Sequence, residues 1–266
     1  MRITAANNSA SRFSRHLLTS ALTVIAAASP IIGCSDSTSP DQSGTFFGPS
    51  LAVASGTARA YVTLDHAGVP TELGLTLTEA ALVGLPAGST EYSFALPPEV
   101  STTAFKHAVI NWIPLGHPPA GVYTVPHFDF HFYTITNAQR TSIVLGDSLL
   151  AAKMMRQPAA EFVPAGYVTG MASELMGLHW RDPAAPELKG APFTQTFIYG
   201  SYDGAMIFAE PMIAKSYLET KPAAVVTSVK LPAQYSAHGY QPTSYTVAFD
   251  QVTKEYRVAV SGLVLR

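Results

Sequence analysis

Residues 127–133 read His127-Phe128-Asp129-Phe130-His131-Phe132-Tyr133, an unbroken alternation. Strand side chains switch faces with a period of two. This spacing therefore puts Phe128, Phe130 and Phe132 on one side and His127, Asp129, His131 and Tyr133 on the other. Two imidazoles and a carboxylate on one face are a metal-ligand set. Neighbours two apart on a strand lie roughly 6.6 Å from each other and those four apart roughly 13 Å, so His127 and His131 cannot share one tetrahedral ion on a regular strand. Either Asp129 joins one of them as ligand or orienting carboxylate, or a bulge shortens the gap. On this segment alone, a polar face that is hydrogen-bonded or open to water explains the alternation equally well.

Two later residues add to the set. His179 stands between Leu178 and Trp180, and Glu210 closes the second arm of a hairpin whose turn is Asp203-Gly204. Asp-Gly between apolar runs is a strong hairpin signal. With a two-residue loop, Glu210 lies opposite Phe197 and shares a face with Met206, Phe208 and Tyr199. A carboxylate there must be paired, protonated or metal-bound. The expected site is built from His127, Asp129, His131, His179 and Glu210, not all of them direct ligands, with His117 as a further contributor. A divalent metal, zinc first, is the expected cofactor. The plainer duties of Glu210 are to cap a helix starting at Pro211 or to pair with Lys215 or Arg181. His66, His107 and His238 read as surface or hydrogen-bonded residues.

No catalytic residue is assignable. The sequence contains no H-E-x-x-H, G-x-S-x-G, P-loop, dinucleotide fingerprint or paired C-x-x-C. Metal binding without catalysis is the preferred reading, and metal-dependent hydrolysis the lesser one.

The elements that must position these residues are short strands. Residues 58–64 and 72–77 flank a loop, 78–84 form a helical turn, and 91–96 and 107–113 are further strands. Asp147 or Ser148 caps a helix running through Met155. The Asp203-Gly204 hairpin joins strands 193–200 and 205–210, a helix covers 211–218, and strands 225–231, 245–250 and 255–263 complete the chain. The expected fold is mainly β, an antiparallel sandwich or barrel with a few short helices, and α+β is the alternative.

The N-terminus has a separate logic. Arg2, Arg12 and Arg15 precede an apolar run over residues 17–32, and no acidic residue interrupts it. The run ends Ile31-Ile32-Gly33-Cys34, which resembles a bacterial lipobox, and it is shorter than the roughly 20 residues that span a bilayer. Cys34 is the single cysteine, so no intramolecular disulfide can form. The expected organisation is a lipoprotein signal peptide over 1–33, a flexible tether over 34–50 from a lipidated Cys34, and one β-rich domain over 51–266. The 16 Lys and Arg include the three leader arginines and stand against 18 Asp and Glu. What remains after the leader is acidic, which excludes a nucleic-acid partner.

Residues 117–133, 177–182 and 193–218, with the opening stretch 56–84, are similar to a bacterial domain-of-unknown-function family of exported proteins typified by a sigma-E-regulated Thermus protein. The resemblance implies an exported β-rich domain and a homo-oligomer, and it supplies no substrate and no catalytic residue. The chain thus reads as a lipid-anchored envelope protein with a His/carboxylate metal site, on the periplasmic or extracellular face of a bacterial membrane. The alternative is a non-catalytic binding or oligomeric assembly module of the envelope.

Overall fold

The computed structural model describes residues 41–146 and 148–266, so the expected signal peptide, the lipobox with Cys34, and Asp147 lie outside the described residues. Strands β1 (Gly44–Phe47), β2 (Leu51–Val53), β3 (Gly56–Leu64) and β4 (Pro70–Thr78) open the chain. Next come β5 (Thr90–Ala95), β6 (His107–Ile113), β7 (His127–Tyr133), β8 (Val168–Ser173), β9 (Gly177–Arg181), β10 (Gln195–Tyr202) and β11 (Ala205–Ala214). β12 (Val225–Ser228), β13 (Tyr240–Gln241), β14 (Ser244–Asp250), β15 (Glu255–Ser261) and β16 (Val264–Leu265) follow. The α-helices are short: α1 (Asn137–Thr141), α2 (Ser148–Met155) and α3 (Lys215–Glu219).

Two antiparallel seven-stranded sheets result. The first runs β1-β3-β4-β15-β14-β12, with β2 paired to β3. The second, β5-β6-β7-β11-β10-β9-β8, is contiguous in sequence. Neither closes into a barrel, so of the expected architectures the sandwich is the one observed. The core lies between the sheets: Ala60, Val62, Leu73, Leu75, Val258 and Val260 from the first meet Ile110, Phe128, Phe130, Phe132, Ala209 and Ile213 from the second. The alternation on β7 therefore does what its period requires, sending its phenylalanines into the shared core.

The other face of the second sheet is also covered. Val109, Tyr133, Ile143, Met154, Ile207 and Phe208 form one outer apolar cluster, and Tyr123, Phe193, Ile198, Met212 and Ala214 another. All seven residues of β7 are buried. The polar side chains of this strand thus lie between two small apolar clusters, not in water.

Three expectations change. Within the stretch 34–50 expected as tether, residues 44–47 pair with β3 in register Gly44↔Leu64 to Phe47↔Tyr61, so folded structure begins before residue 51. The helix expected over 211–218 is confined to 215–219, since β11 continues through Pro211 to Ala214. Pro211 has no N–H, and the β7–β11 ladder accordingly pairs Phe208 and Ala209, skips Glu210 and Pro211, and resumes at Met212.

The hairpin register is the third. The loop has two residues as expected, but a bulge between the Gly200 and Ser201 pairings puts Gly200 opposite Phe208 and Ile198 opposite Glu210. One extra residue moves the partner set to the opposite face. Glu210 consequently sits beside Ile198 on the outer face, not with Phe197 and Tyr199, whose rings are in the core between the sheets.

The bulge has a tight local requirement. A Cβ on Gly200 would fall 1.9 Å from the Phe208 ring, which crosses the strand at that point. Gly200→Ala is therefore expected to displace Phe208 and destabilise the fold by about 1–3 kcal/mol, the usual cost of overpacking. Urea unfolding measures this, and an unchanged midpoint would show that the ring does not depend on the missing side chain.

Candidate metal centres

The outer face of β7 carries His127, Asp129 and His131 at successive alternate positions. Their neighbours come from three places. Glu210 reaches His131 from the adjacent β11, with Glu210 Oε2 3.3 Å from His131 Nε2. β9 places His179 opposite Gly200, over which the Phe208 ring lies, and His179 Nε2 is 4.0 Å from the same Oε2. The Phe208 ring wedges edge-on between the two imidazoles, 4.8 Å from His131 and 5.5 Å from His179 between centroids.

His117 arrives from the loop between β6 and β7. Gly116, at φ +65°, turns the chain back so closely that a Cβ would fall 2.0 Å from the Tyr123 carbonyl oxygen. The His117 amide then donates to that same carbonyl. The fold-back sets the His117 ring edge-on to His127, at 4.9 Å between centroids. His117 Nε2 comes within 3.9 Å of Asp129 Oδ2, while His127 Nε2 is 3.2 Å from Asp129 Oδ1.

The expected five-residue set, joined by His117, thus divides into two triads, His117–His127–Asp129 and His131–His179–Glu210, each with ligand atoms within 4.8 Å of one another. His127 and His131 are both fully buried yet fall in different triads, as the strand spacing demands. Glu210 takes neither plain partner: Lys215 pairs with Glu219, and Arg181 makes no ion pair among the described residues.

Backbone carbonyls fix the tautomers. His127 Nδ1 is 2.7 Å from the Val125 oxygen, His179 Nδ1 2.8 Å from the Met171 oxygen, and His117 Nδ1 2.8 Å from the Pro118 oxygen. Only a protonated Nδ1 can donate to a carbonyl, so in the neutral ring each Nε2 keeps its lone pair. Those three lone pairs face carboxylate oxygens. A metal-ligating histidine characteristically gives its other N–H to a backbone carbonyl or carboxylate in this way.

Several buried atoms here lack any hydrogen-bond partner: His127 Nε2, Asp129 Oδ1, both ring nitrogens of His131, and Glu210 Oε2. Buried polar atoms are nearly always satisfied, and a cluster of orphans in one place calls for a cause. The electrostatics divide in the same way as the geometry. Burial pushes the Glu210 carboxyl up to about 8, with the Asp129 charge adding to the effect. Burial likewise brings His131 down to about 4 and lowers His179. Asp129 is buried too, but the His127 imidazole 3.2 Å away outweighs that burial and holds its carboxyl below the usual range. His127 is raised in return. Without a cation, the His127–Asp129 pair is biased toward its charged form, and Glu210 with His131 and His179 toward their neutral forms.

A cleft of about 310 Å³ opens over this face. It is lined by His117 and Asp129 of one triad and His179 and Glu210 of the other, with Met171, Met176, Met212 and Ile198 as apolar wall. His117 and His179, the partly exposed imidazoles, form the approach to the buried ligands. Among the residues set aside as ordinary, His66 pairs with Asp41 at the surface. His107 is buried, donates from Nδ1 toward the Ile135 carbonyl and stacks on Tyr133 at 4.7 Å.

The fold and site define a mainly antiparallel β-sandwich with two His₂–carboxylate clusters under one covered sheet face. A family model described as TTHB210-like, hypothetical protein TTHB210, matches residues 65–112, in agreement with the Thermus-type resemblance. The match spans β4 to β6 and stops before His117, so it includes none of the six triad residues. No curated protein and no solved structure matches the chain.

The pH dependence of the metal-free protein follows from Glu210. Its folded carboxyl titrates at about 8 against an ordinary 4.5, so the folded state holds the proton more tightly and stability falls as pH rises through that window. The lowered His131 contributes the opposite slope only between about 4 and 6.5, whereas the raised His127 adds to the decline. Chelator-treated protein is therefore expected to lose stability from pH 6.5 to 8, with a shallower loss in Glu210→Gln. Equal slopes for the two proteins would show that Glu210 is not held protonated.

Proposed function

We propose that this chain is an envelope protein that binds divalent metal, zinc first, at the two triads, and is held to a bacterial membrane by lipid on Cys34. The observation that carries the metal reading is His131: a fully buried imidazole with both nitrogens unpartnered, 3.3 Å from a carboxylate that burial would otherwise keep protonated. His131, His179 and Glu210 would hold one ion, and His117, His127 and Asp129 the other. Two imidazoles and one carboxylate are a familiar donor set for a zinc that keeps a further position open. The cleft lies where that position would face. A bound ion supplies Lewis acidity there, while the chain's own residues orient the ligands and keep apolar walls around them.

Metal loading is expected at two ions per chain after purification without chelator, by elemental analysis. His131→Ala and His127→Ala should each lose one. Zinc at a hundredfold excess over its dissociation constant stabilises the fold by about 2.7 kcal/mol for each site filled. Metal-free protein whose melting is indifferent to zinc would end this reading.

The anchor rests on Ile31-Ile32-Gly33-Cys34 and the polar stretch that follows. Cys34→Ser is expected to move the protein from the detergent phase to the aqueous phase after expression in a bacterial host. Unaltered partition would mean that Cys34 carries no lipid.

A further inference from the structure

We propose that the cleft between the triads receives a small oxyanion, a phosphate or carboxylate group, and that Arg181 is the residue that recognises it; this rests on the metal reading above. Arg181 follows His179 by two positions on β9, so both project from the outer face about 6.6 Å apart. Arg181 lines the same cleft as Asp129 and Glu210. Its guanidinium nevertheless has no hydrogen bond and no ion pair among the described residues.

The nearby acids are committed elsewhere. Asp182 pairs with Lys230 at 2.6 Å, Glu187 accepts the Tyr123 hydroxyl at 2.9 Å, and Glu174 accepts the Leu145 amide at 2.7 Å. Tyr123 is a second wall of the cleft, and it registers the guanidinium. Burial first, and then Glu187, drives its hydroxyl upward in pKa, and the Arg181 charge opposes them.

An uncommitted guanidinium beside an open metal position is a two-point receptor. Its planar fork matches an oxyanion edge, and a metal at His179 would take another oxygen of the same group. About 310 Å³ is at the small end of ligand-binding clefts, which suits a small molecule with an apolar portion against Met171 and Met212.

The test uses the protein loaded with cobalt(II), whose visible absorption reports its ligands, and inorganic phosphate or acetate as probes. Saturable spectral change with either anion is expected, together with at least about tenfold weaker anion binding in Arg181→Gln at unchanged cobalt affinity, the loss expected for a charge-assisted hydrogen bond. Retained cobalt binding shows that the variant is folded. Arg181→Lys, which keeps the charge but loses the fork, should fall between the two. Cobalt binding with no anion response, or with wild-type anion affinity in Arg181→Gln, overturns this inference and leaves the metal sites standing. No cobalt binding overturns both.

Discussion

A carboxylate sealed among apolar side chains must find a cation or a proton, and two such groups, Asp129 and Glu210, organise the outer face of the second sheet. Asp129 is served by His127 and His117, while Glu210 faces His131 and His179. Removing an ion from water costs several kcal/mol even after relaxation, so the surroundings must supply a charge or the group turns neutral. Both outcomes are present: Asp129 is held ionised and Glu210 is driven toward neutrality. Much of the local architecture follows from this constraint, including the Nδ1 tethers, the Phe208 wedge and the loop that folds back at Gly116.

The strand carrying these residues was legible because its period is strict. Alternation over 127–133 set the faces, and rise per residue already separated His127 from His131. The sequence could not reveal that the polar face would be covered, since the cover comes from distant segments around Tyr123, Ile143 and Met154 that have no pattern of their own. His179 and Glu210 stood out as isolated polar residues among aromatics, which burial makes conspicuous in a chain with only 13% charged residues.

The register of the β10–β11 hairpin shows where pattern reading stops. Asp203-Gly204 specified the turn correctly, but one extra residue near Gly200 reversed the partners of Glu210. Gly200 was the available signal, because a glycine inside a strand often marks a bulge or a close approach. Pro211 misled in a different way: it suggested a helix start, whereas the structure tolerates it in a strand by interrupting one ladder. The same interruption leaves Glu210 outside the regular pairing with β7, beside His131.

Metal binding at these triads requires that imidazole nitrogen and carboxylate oxygen hold the ion. X-ray absorption at the zinc edge of the loaded protein tests this most directly. Nitrogen and oxygen ligands are expected at about 2.0–2.1 Å, with two imidazoles per zinc. A spectrum of zinc ringed by water alone, without imidazole scattering, would contradict it.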